Sequence, residues 1–545
     1  MAANGSIHKK DRIDLQIHKQ HSICMVLDYG SQYTQLIARR VRETGVCSLL
    51  LPGDVSLDRI KQEQPHAIIL SGGPNSVHTE NAPTLPAGFY EYIEQEAIPV
   101  LGVCYGMQLL VYSLGGKVET IEADGEYGRT SIRTTQASEL YTEETNHAQS
   151  VWMSHGDKVA ELPEGFQPVA TSEKGTVVAI ENKQRRLYGL QYHPEVQHSE
   201  RGIATLRRFL FGIAKMPADW KIENVLKEEM EKIRGLVGPD DHVICALSGG
   251  VDSAVAAVLV HKVLKERLHC VFVDNGLLRY KEGDRVMDTF KNHLHLPVTK
   301  IDDSERMLAR LKGLKDPEAK RKAIGAGFIE VFNDFAAHFD RKPKYLVQGT
   351  LYPDVIESMP PPGKNQKHSH MIKSHHNVGG LPKDLQFTLI EPLRELFKDE
   401  VRALGRLPEL NVPEAFITRH PFPGPGLAVR VLGDVTEGDA LDVLRQVDEI
   451  YINTIRDFGL YDKIWQAFAV FLPVRSVGVQ GDQRTHSSVV ALRAVTSSDG
   501  MTADWYPFEP KFLQTVSSRI CNGVRSVNRV VYDITSKPPG TIEWE

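Results

Sequence analysis

The sequence has few cysteines and no long apolar run. Its six cysteines are dispersed through 545 residues, and no two of them are separated by only two positions. No apolar stretch approaches the ~20 residues of a membrane span. Residues 1–20 are polar and mixed in charge, without the apolar region of a secretory signal. The sequence therefore predicts a cytoplasmic protein without a disulfide framework or a membrane partner.

An excess of basic residues is also missing. The formal net charge is −6, which argues against a general nucleic-acid binder because such proteins usually carry a basic footprint. No internal repeat of fixed period is visible. Hydrophobic content of 41% and charged content of 25% are ordinary for a globular protein, and the length predicts roughly three or four domains.

Apolar and helix-forming segments alternate along much of the chain. The apolar run 23–27 is followed by a helical pattern as far as Arg42, which is typical of an α/β protein with a mostly parallel sheet. This pattern breaks near Pro217. A second break, His420–Gly426, holds three prolines and two glycines and predicts a rigid connector. The predicted divisions are a disordered extension at 1–21 and domains at 22–217, 218–420 and 421–545.

Cys104 follows an apolar run and has a glycine two residues away on each side. The pattern G-x-C-x-G is typical of a nucleophile on a tight turn between a strand and a helix. A helix N-terminus also lowers the pKa of a thiol, and the thiolate is the attacking form. The alternative is a buried structural cysteine.

A histidine and a carboxylate downstream favour the catalytic interpretation. His193 and Glu195 are two residues apart, so they would project to the same face if they ended a strand. Glu195 would then orient His193, and His193 would take the proton of Cys104. We therefore predict that Cys104, His193 and Glu195 act together.

Residues 21–215 resemble the class I glutamine amidotransferases. Besides the cysteine turn and the His–Glu pair, they contain Ser71-Gly72-Gly73-Pro74 after an apolar run. The resemblance implies a flavodoxin-like domain that hydrolyses glutamine. It further implies an oxyanion hole from the backbone N–H groups of Gly73 and Tyr105, and a role for Gln108 in holding glutamine.

A second chemical motif begins at Ser248. The buried-strand pattern 243–247 runs into Ser248-Gly249-Gly250-Val251-Asp252-Ser253, and a helix is predicted from about Ala254. A glycine turn at a helix N-terminus is a natural anion site, to which the hydroxyls of Ser248 and Ser253 add donors. The lysine of the common G-x-x-x-x-G-K-[ST] phosphate loop is missing.

This second motif resembles the PP-loop of the ATP pyrophosphatases. The resemblance implies a doubly wound domain that cleaves ATP between the α and β phosphates, with residues Ser248 to Ala254 as the contacts: Ser248, Gly249, Gly250, Val251, Asp252, Ser253 and Ala254. Relatives often carry Ser or Thr at the last position. Asp252 either holds Mg²⁺ against the phosphates or caps the helix. Asp274, at the end of the next strand pattern, either lies at the nucleotide or caps a loop.

Nearly the whole chain beyond residue 20 resembles the family of glutamine-hydrolysing GMP synthases. The resemblance is carried by residues 349–358, 373–377, 420–426, 477–482 and 535–545. It implies that ATP adenylates xanthosine 5′-monophosphate (XMP), that ammonia from glutamine gives GMP, and that a smaller α+β C-terminal domain binds XMP and forms a homodimer. The implied XMP contacts are Arg321, Gln466, Lys537, Ile542 and Glu543. The implied ATP-site candidates are Asp274, Asp354, Glu357 and Lys373, with Mg²⁺ at Asp252.

Two other interpretations stay open at this point. The chain could be another PP-loop amidotransferase, which aminates a dinucleotide precursor or aspartate, although the C-terminal segment argues against this. It could also be a catalytically silent scaffold, against which the intact cysteine, histidine, glutamate and PP-loop all speak. The histidine-rich segment 360–380 predicts a long loop and gives only a weak indication of a metal site.

Overall fold

The computed structural model describes residues 17–120, 125–141, 148–339, 342–357, 387–480, 482–497, 503–537 and 539–545. Within these residues, the chain forms two compact units, one from 17 to 225 and one from 226 to 355 and from 387 to 545. The domain boundaries at 217 and 420 stay predictions. The whole of the predicted loop at 360–380, with its histidines and Lys373, lies outside the described residues, as do residues 1–16.

The described part of the chain begins at residue 17, within the segment that the sequence predicts to be disordered. Ile17–Gln20 forms a 3₁₀ helix, so the prediction of disorder as far as residue 21 is wrong for these positions. His18 is buried, and its Nε2 lies 3.1 Å from Oε2 of the buried Glu63. The polar composition of this segment gives no indication of the helix, because the segment is held by a polar contact with a residue that is distant in the sequence.

The first unit is built on a nine-stranded mixed sheet, counted over the described residues. Its strands, and the separate β5–β8 pair, are β1 (Ile23–Asp28), β2 (Cys47–Pro52), β3 (Ala67–Leu70), β4 (Val100–Val103), β5 (Lys117–Thr120), β6 (Glu126–Thr134), β7 (Gln149–His155), β8 (Asp157–Glu161), β9 (Gln167–Ser172), β10 (Val177–Asn182) and β11 (Leu187–Leu190). Its helices are α1 (Thr34–Glu43), α2 (Leu57–Glu63), α3 (Phe89–Gln95), α4 (Tyr105–Ser113) and α5 (Gly202–Arg207), the last continued by a π-helical turn at Arg208–Ile213.

The order of strands brings the two halves of the predicted cysteine–histidine site together. The sheet runs β2-β1-β3-β4-β11-β10-β9-β6-β7, and its first five strands are parallel. Strands β1, β3 and β4 are almost wholly buried, as expected for parallel strands covered on both faces. Val103 at the end of β4 pairs with Leu190 at the end of β11. The residues that follow these two strands therefore emerge side by side.

The second unit begins with a parallel sheet of the order β14-β13-β12-β15-β16. Helices lie between successive strands in sequence, as in a doubly wound fold. The elements of this region are α6 (Ile222–Leu236), β12 (Val243–Leu247), α7 (Val251–Leu264), β13 (Leu268–Asp274), α8 (Glu282–Asp288), β14 (Val298–Asp302), α9 (Ser304–Leu311), α10 (Pro317–Ala336), β15 (Tyr345–Val347), α11 (Tyr352–Glu357), β16 (Thr388–Ile390), α12 (Lys398–Arg406) and α13 (Glu414–Ile417).

The C-terminal part of this unit is a mainly antiparallel sheet with two long helices. Its elements are α14 (Ala440–Asp457), β17 (Gln466–Gln480), β18 (Gln483–Thr496), β19 (Asp504–Trp505), α15 (Pro510–Gly523) and β20 (Val527–Tyr532). One hydrophobic cluster extends from Leu277 and Met307 to Leu444 and Val490. The PP-loop region and the C-terminal region therefore share a core. The architecture agrees with the predicted α/β and α+β fold classes.

Among the described residues, no helix combines the length and the apolar character needed to cross a bilayer.

Candidate active sites

Cys104 lies on a strained turn between β4 and α4. Its backbone angles are φ 51° and ψ −107°, a region that non-glycine residues rarely occupy and that is common at functional sites. The turn is possible because Gly106 packs directly against β3: a Cβ there would lie 2.3 Å from the carbonyl oxygen of Leu70. The thiol is thus fixed at the N-terminus of α4, at the carboxyl edge of the parallel strands.

The structure brings His193 and Glu195 to this thiol. His193 Nδ1 lies 2.7 Å from Glu195 Oε1, both side chains are buried, and His193 is within hydrogen-bonding reach of Cys104. Burial opposes protonation of His193, but the charge of Glu195 and the contacts with Glu195 and Cys104 outweigh it and raise the pKa of His193. The strand-end rationale for the pair was wrong, because β11 ends at Leu190 and both residues lie in the following turn.

Two amide side chains shape the wall beside the thiol. Gln191 Nε2 and the carbonyl oxygen of Ser154 each lie 3.7 Å from Cys104 Sγ. The buried Gln108 donates from Nε2 to the carbonyl oxygen of Asp157 at 3.0 Å and to Gln191 Oε1 at 3.3 Å. Its role in holding glutamine stays a prediction. Sequence reasoning missed Gln191, although it stands two residues before His193 in the same run.

The predicted oxyanion donors lie around the same turn. A Cβ on Gly73 would lie 2.6 Å from the carbonyl oxygen of Tyr29, and one on Gly72 would lie 3.1 Å from His193 Cε1. The N–H of Cys104 donates to Leu190, and that of Gly106 donates to Ser71. Tyr105, between them, begins α4, where backbone N–H groups lack helical acceptors.

The PP-loop joins β12 to α7 at the edge of the second parallel sheet. The helix begins at Val251, three residues before the predicted start, with Gly250 as its N-cap. The Ser253 hydroxyl accepts from the Ser248 N–H at 3.2 Å and donates to the Gly250 carbonyl at 3.1 Å. These contacts hold the loop closed around the first turn of α7, whose N–H groups are free of helical acceptors.

The carboxylates near this loop have different surroundings. Asp252 Oδ2 lies 3.6 Å from Lys398 Nζ, Oδ1 is buried without a hydrogen-bond partner in the described part of the chain, and no side chain caps α7. Asp274 accepts from the Gly276 N–H at 3.2 Å and pairs with Lys300 Nζ at 3.1 Å. The structure thus shows Asp274 capping a loop, and its nucleotide role stays a prediction.

The remaining ATP-site candidates are at the next helix. Asp354 Oδ2 accepts from the N–H of Leu351 at 2.9 Å, just after β15. Glu357 belongs to α11, but its side chain is outside the described atoms, as is all of Lys373. Because β12, β13 and β15 are parallel neighbours, the PP-loop, Asp274 and the turn at 348–351 share one edge of the sheet.

Two of the predicted XMP residues, Arg321 and Gln466, contact the segment 539–545, which holds two more, Ile542 and Glu543. Glu543 accepts from Gln466 Nε2 at 2.7 Å, and Arg321 Nη2 lies 2.7 Å from the main-chain oxygen of Glu545. Ile542 is buried, and Lys537 forms a two-way backbone bridge with Ala503. The segment 539–545 is thus packed into the unit.

Three arginines that sequence reasoning missed surround this region. Arg430 is fully buried and donates two hydrogen bonds to Glu543, at 3.0 and 2.7 Å. The guanidinium of Arg279 lies 4.6 Å from the Phe422 ring, and Arg419 donates to the Gly249 carbonyl at 2.6 Å. Burial, together with Arg279, lowers the pKa of Arg419 to about 10.

Some of these buried donors have no matched acceptor. Nη2 of Arg279 and Nη1 of Arg430 are buried without a hydrogen-bond partner in the described residues. Each of the three guanidinium groups nevertheless has a carboxylate beside it: Asp448 for Arg279, Glu282 for Arg419 and Glu543 for Arg430. The positions of these arginines in the sequence could have identified them. Arg279 follows the strand pattern of β13, and Arg419 and Arg430 lie on either side of the Pro–Gly connector.

The strained cysteine turn, the buried His–Glu pair and the mixed sheet define the first unit as a class I glutamine amidotransferase. The family model of that description matches residues 25–213, and a model of the GMP synthase C-terminal domain matches residues 453–544. The chain belongs to the family of glutamine-hydrolysing GMP synthases. Relatives of that name from Chlorobium chlorochromatii and Aquifex aeolicus are 54% and 51% identical, each over 96% of this chain and 99% of its own length.

A solved structure of a glutamine amidotransferase from Thermotoga maritima is 21% identical to this chain. The match covers 36% of this chain and 99% of that protein, with a TM-score of 0.30.

Substitution of Gly106 by alanine tests the close packing at the cysteine turn. The new Cβ meets the Leu70 carbonyl, so we expect Gly106→Ala to lower the free energy of unfolding by ~1–3 kcal/mol and to reduce glutamine hydrolysis. Gly235→Ala is the control, because a Cβ there meets nothing within 4 Å. Thermal unfolding and glutaminase assays of both variants provide the measurement. Equal stability of Gly106→Ala and the parent chain would contradict this packing.

Substitution of Glu195 by glutamine tests the electrostatics of the pair. The charge of Glu195 raises the pKa of His193, so its removal lets burial dominate and the pKa falls. We expect NMR titration of Glu195→Gln to show that fall, and glutamine hydrolysis to drop ~10²–10⁴-fold. The exposed Glu164→Gln should change neither quantity. An unaltered His193 titration would mean that Glu195 does not set its charge state.

Proposed function

We propose that the chain makes GMP at two separate sites. The first unit hydrolyses glutamine to glutamate and ammonia. The second unit transfers the adenylyl group of ATP to O2 of XMP with release of pyrophosphate, and ammonia then attacks C2 and displaces AMP. The observation that carries this proposal is the meeting of Cys104, His193 and Glu195 in a chain that also holds a PP-loop.

At the first site, His193 accepts the proton of Cys104 and is held in position by Glu195. The thiolate attacks the amide carbon of glutamine. His193 returns the proton to the departing nitrogen, which leaves as ammonia, and water then hydrolyses the thioester to glutamate. The raised pKa of His193 supports this role because it favours the imidazolium that the thiolate needs beside it.

The negative oxygen that forms during this attack requires hydrogen-bond donors. We assign this role to the N–H groups of Tyr105 and Gly73. The N-terminus of α4 adds the positive end of its dipole. The buried Gln108 holds the 154–157 turn through Asp157 and contributes to the glutamine pocket.

At the second site, the N–H groups of the PP-loop and the dipole of α7 hold the phosphates of ATP. We assign this contact to residues 248–254. Arg419 donates to the loop carbonyl at Gly249 and adds positive charge there. On the XMP side we assign Arg321, Gln466, Lys537, Ile542 and Glu543, and we add Arg430 because it contacts Glu543 directly.

Magnesium fits the environment of Asp252. Its Oδ1 is buried with no hydrogen-bond partner in the described part of the chain, and Mg²⁺ prefers one or two carboxylates together with phosphate oxygens. When bound, the ion would neutralise charge on the phosphates. Lys398, 3.6 Å from Oδ2, places a second cation at the same carboxylate. The homodimer and the cytoplasmic location stay predictions, and light scattering of the purified chain would test the former.

Substitution of Cys104 by alanine separates the two reactions. We expect Cys104→Ala to abolish GMP formation from glutamine and to preserve it from added ammonium, because only the first reaction needs the thiol. The control is Cys47→Ala, another buried cysteine of the same unit, which should keep both activities. A folded Cys104→Ala chain that also fails with ammonium would contradict the two-site proposal.

Substitution of Asp252 by asparagine tests the phosphate site. With ammonium as the nitrogen source, glutamine hydrolysis is not needed, so any loss reports on the second site alone. We expect a ~10²–10³-fold lower rate of AMP formation and a higher Mg²⁺ requirement. The exposed Asp240→Asn should leave both unchanged. If Asp252→Asn retains the parent rate and Mg²⁺ dependence, the aspartate has no part in adenylation.

A further inference from the structure

Lys320 is a buried lysine with three oxygen partners. Its side chain has no exposed surface. Its Nζ lies 2.6 Å from Glu545 Oε2, 2.8 Å from the carbonyl oxygen of Val431 and 3.1 Å from that of Ala428. The three donors of the ammonium ion are thus all used.

The position of this lysine is unfavourable by itself. Lys320 lies in the first turn of α10, which begins at Pro317 with Asp316 as N-cap. A cation is disfavoured at the positive end of a helix, and a buried charge is tolerated only when it is paired. The ion pair with Glu545 and the two carbonyls supply that pairing. Helix formation and apolar packing do not explain a lysine here, so its contacts require another explanation.

Lys320 joins three segments. In each of them, a residue close to the contact with Lys320 belongs to the proposed XMP subsite. Arg321 follows Lys320 on α10 and contacts the Glu545 main chain. In the sequence, Arg430 lies between Ala428 and Val431, whose carbonyl oxygens accept hydrogen bonds from Lys320. Glu543, two residues before Glu545, accepts both hydrogen bonds of Arg430. A single ammonium ion therefore contacts two backbone carbonyls on either side of Arg430 in the sequence and the side chain of Glu545, two residues after Glu543.

We propose that Lys320 is a positioning residue of the XMP subsite, which holds α10, the turn at 428–431 and the segment 539–545 in the geometry that XMP requires. This inference rests on the proposed function. Lys320 does not touch the substrate, and it acts through Arg321, Arg430 and Glu543. Loss of its charge leaves the Glu545 carboxylate without its cation and removes one of the contacts that hold the three segments together, so we expect XMP binding to weaken.

The test is a steady-state analysis of Lys320→Met, Glu545→Gln and the double variant, with ammonium as the nitrogen source. Methionine keeps the length of the side chain and removes the charge. We expect each single variant to raise the KM for XMP ~10-fold, with the KM for ATP, kcat at saturating XMP and basal glutaminase unchanged. The double variant should raise the KM for XMP by less than the product of the two single increases, because the two side chains share one interaction.

Lys322→Met is the matched control, since Lys322 is an exposed lysine two residues further along the same helix. It should leave every parameter unchanged. Unfolding temperatures of all variants are measured in parallel, and Glu545→Gln keeps the test open if Lys320→Met does not fold. A KM for XMP that is unchanged, or that rises together with the KM for ATP and a fall in kcat, overturns the positioning role. A parent chain that forms no AMP from XMP overturns the proposed function itself.

Discussion

Both sites depend on the same constraint, a buried parallel strand that turns directly into a helix. β4 enters α4 through Cys104, and β12 enters α7 through residues 248–250. At the first of these turns a glycine is needed because the neighbouring strand β3 packs closely against it: a Cβ on Gly106 would lie 2.3 Å from the carbonyl oxygen of Leu70. The first N–H groups of the helix are then left without helical acceptors and point outward from the sheet. In the proposed mechanism, one turn presents them to a developing oxyanion and the other to phosphate.

A second constraint governs the synthetase unit, where buried cations must be paired. Arg430 and Lys320 have no exposed side-chain surface, and their carboxylate partners, Glu543 and Glu545, come from the C-terminal segment. A buried charge that loses its partner is strongly destabilising. The segment 539–545 is therefore part of the packed structure. The substrate contacts proposed for that segment gain a fixed geometry from these pairs.

Local sequence patterns predict those features of the structure that are determined by residues close together in the sequence. The strand at 243–247, the turn at Cys104 and the alternating α/β organisation all follow from short-range periodicity and glycine placement. His193 and Glu195 were paired correctly, but for the wrong reason: they meet in a turn beyond β11, where strand alternation does not apply. The predicted start of α7 is three residues too late, because Val251, Asp252 and Ser253 belong to the loop motif and also form the first turn of the helix.

Contacts between distant residues could not be predicted in this way. Lys320 and Glu545 are 225 positions apart, and Arg430 and Glu543 are 113 apart, so no spacing rule connects them. The sequence presents Lys320 as one of three adjacent basic residues, a pattern that usually marks a solvated helix face. Its burial is decided by the core that the PP-loop region shares with the C-terminal region. The same holds for His18, whose anchor is Glu63.

The central claim is that ammonia from glutamine and an adenylate on O2 of XMP meet in one reaction. Mass spectrometry of the products formed from XMP labelled with ¹⁸O at O2 and glutamine labelled with ¹⁵N in the amide tests this directly. The account predicts that the ¹⁸O is found in AMP and the ¹⁵N in the 2-amino group of GMP. Unlabelled AMP, or ¹⁸O in pyrophosphate, would contradict it.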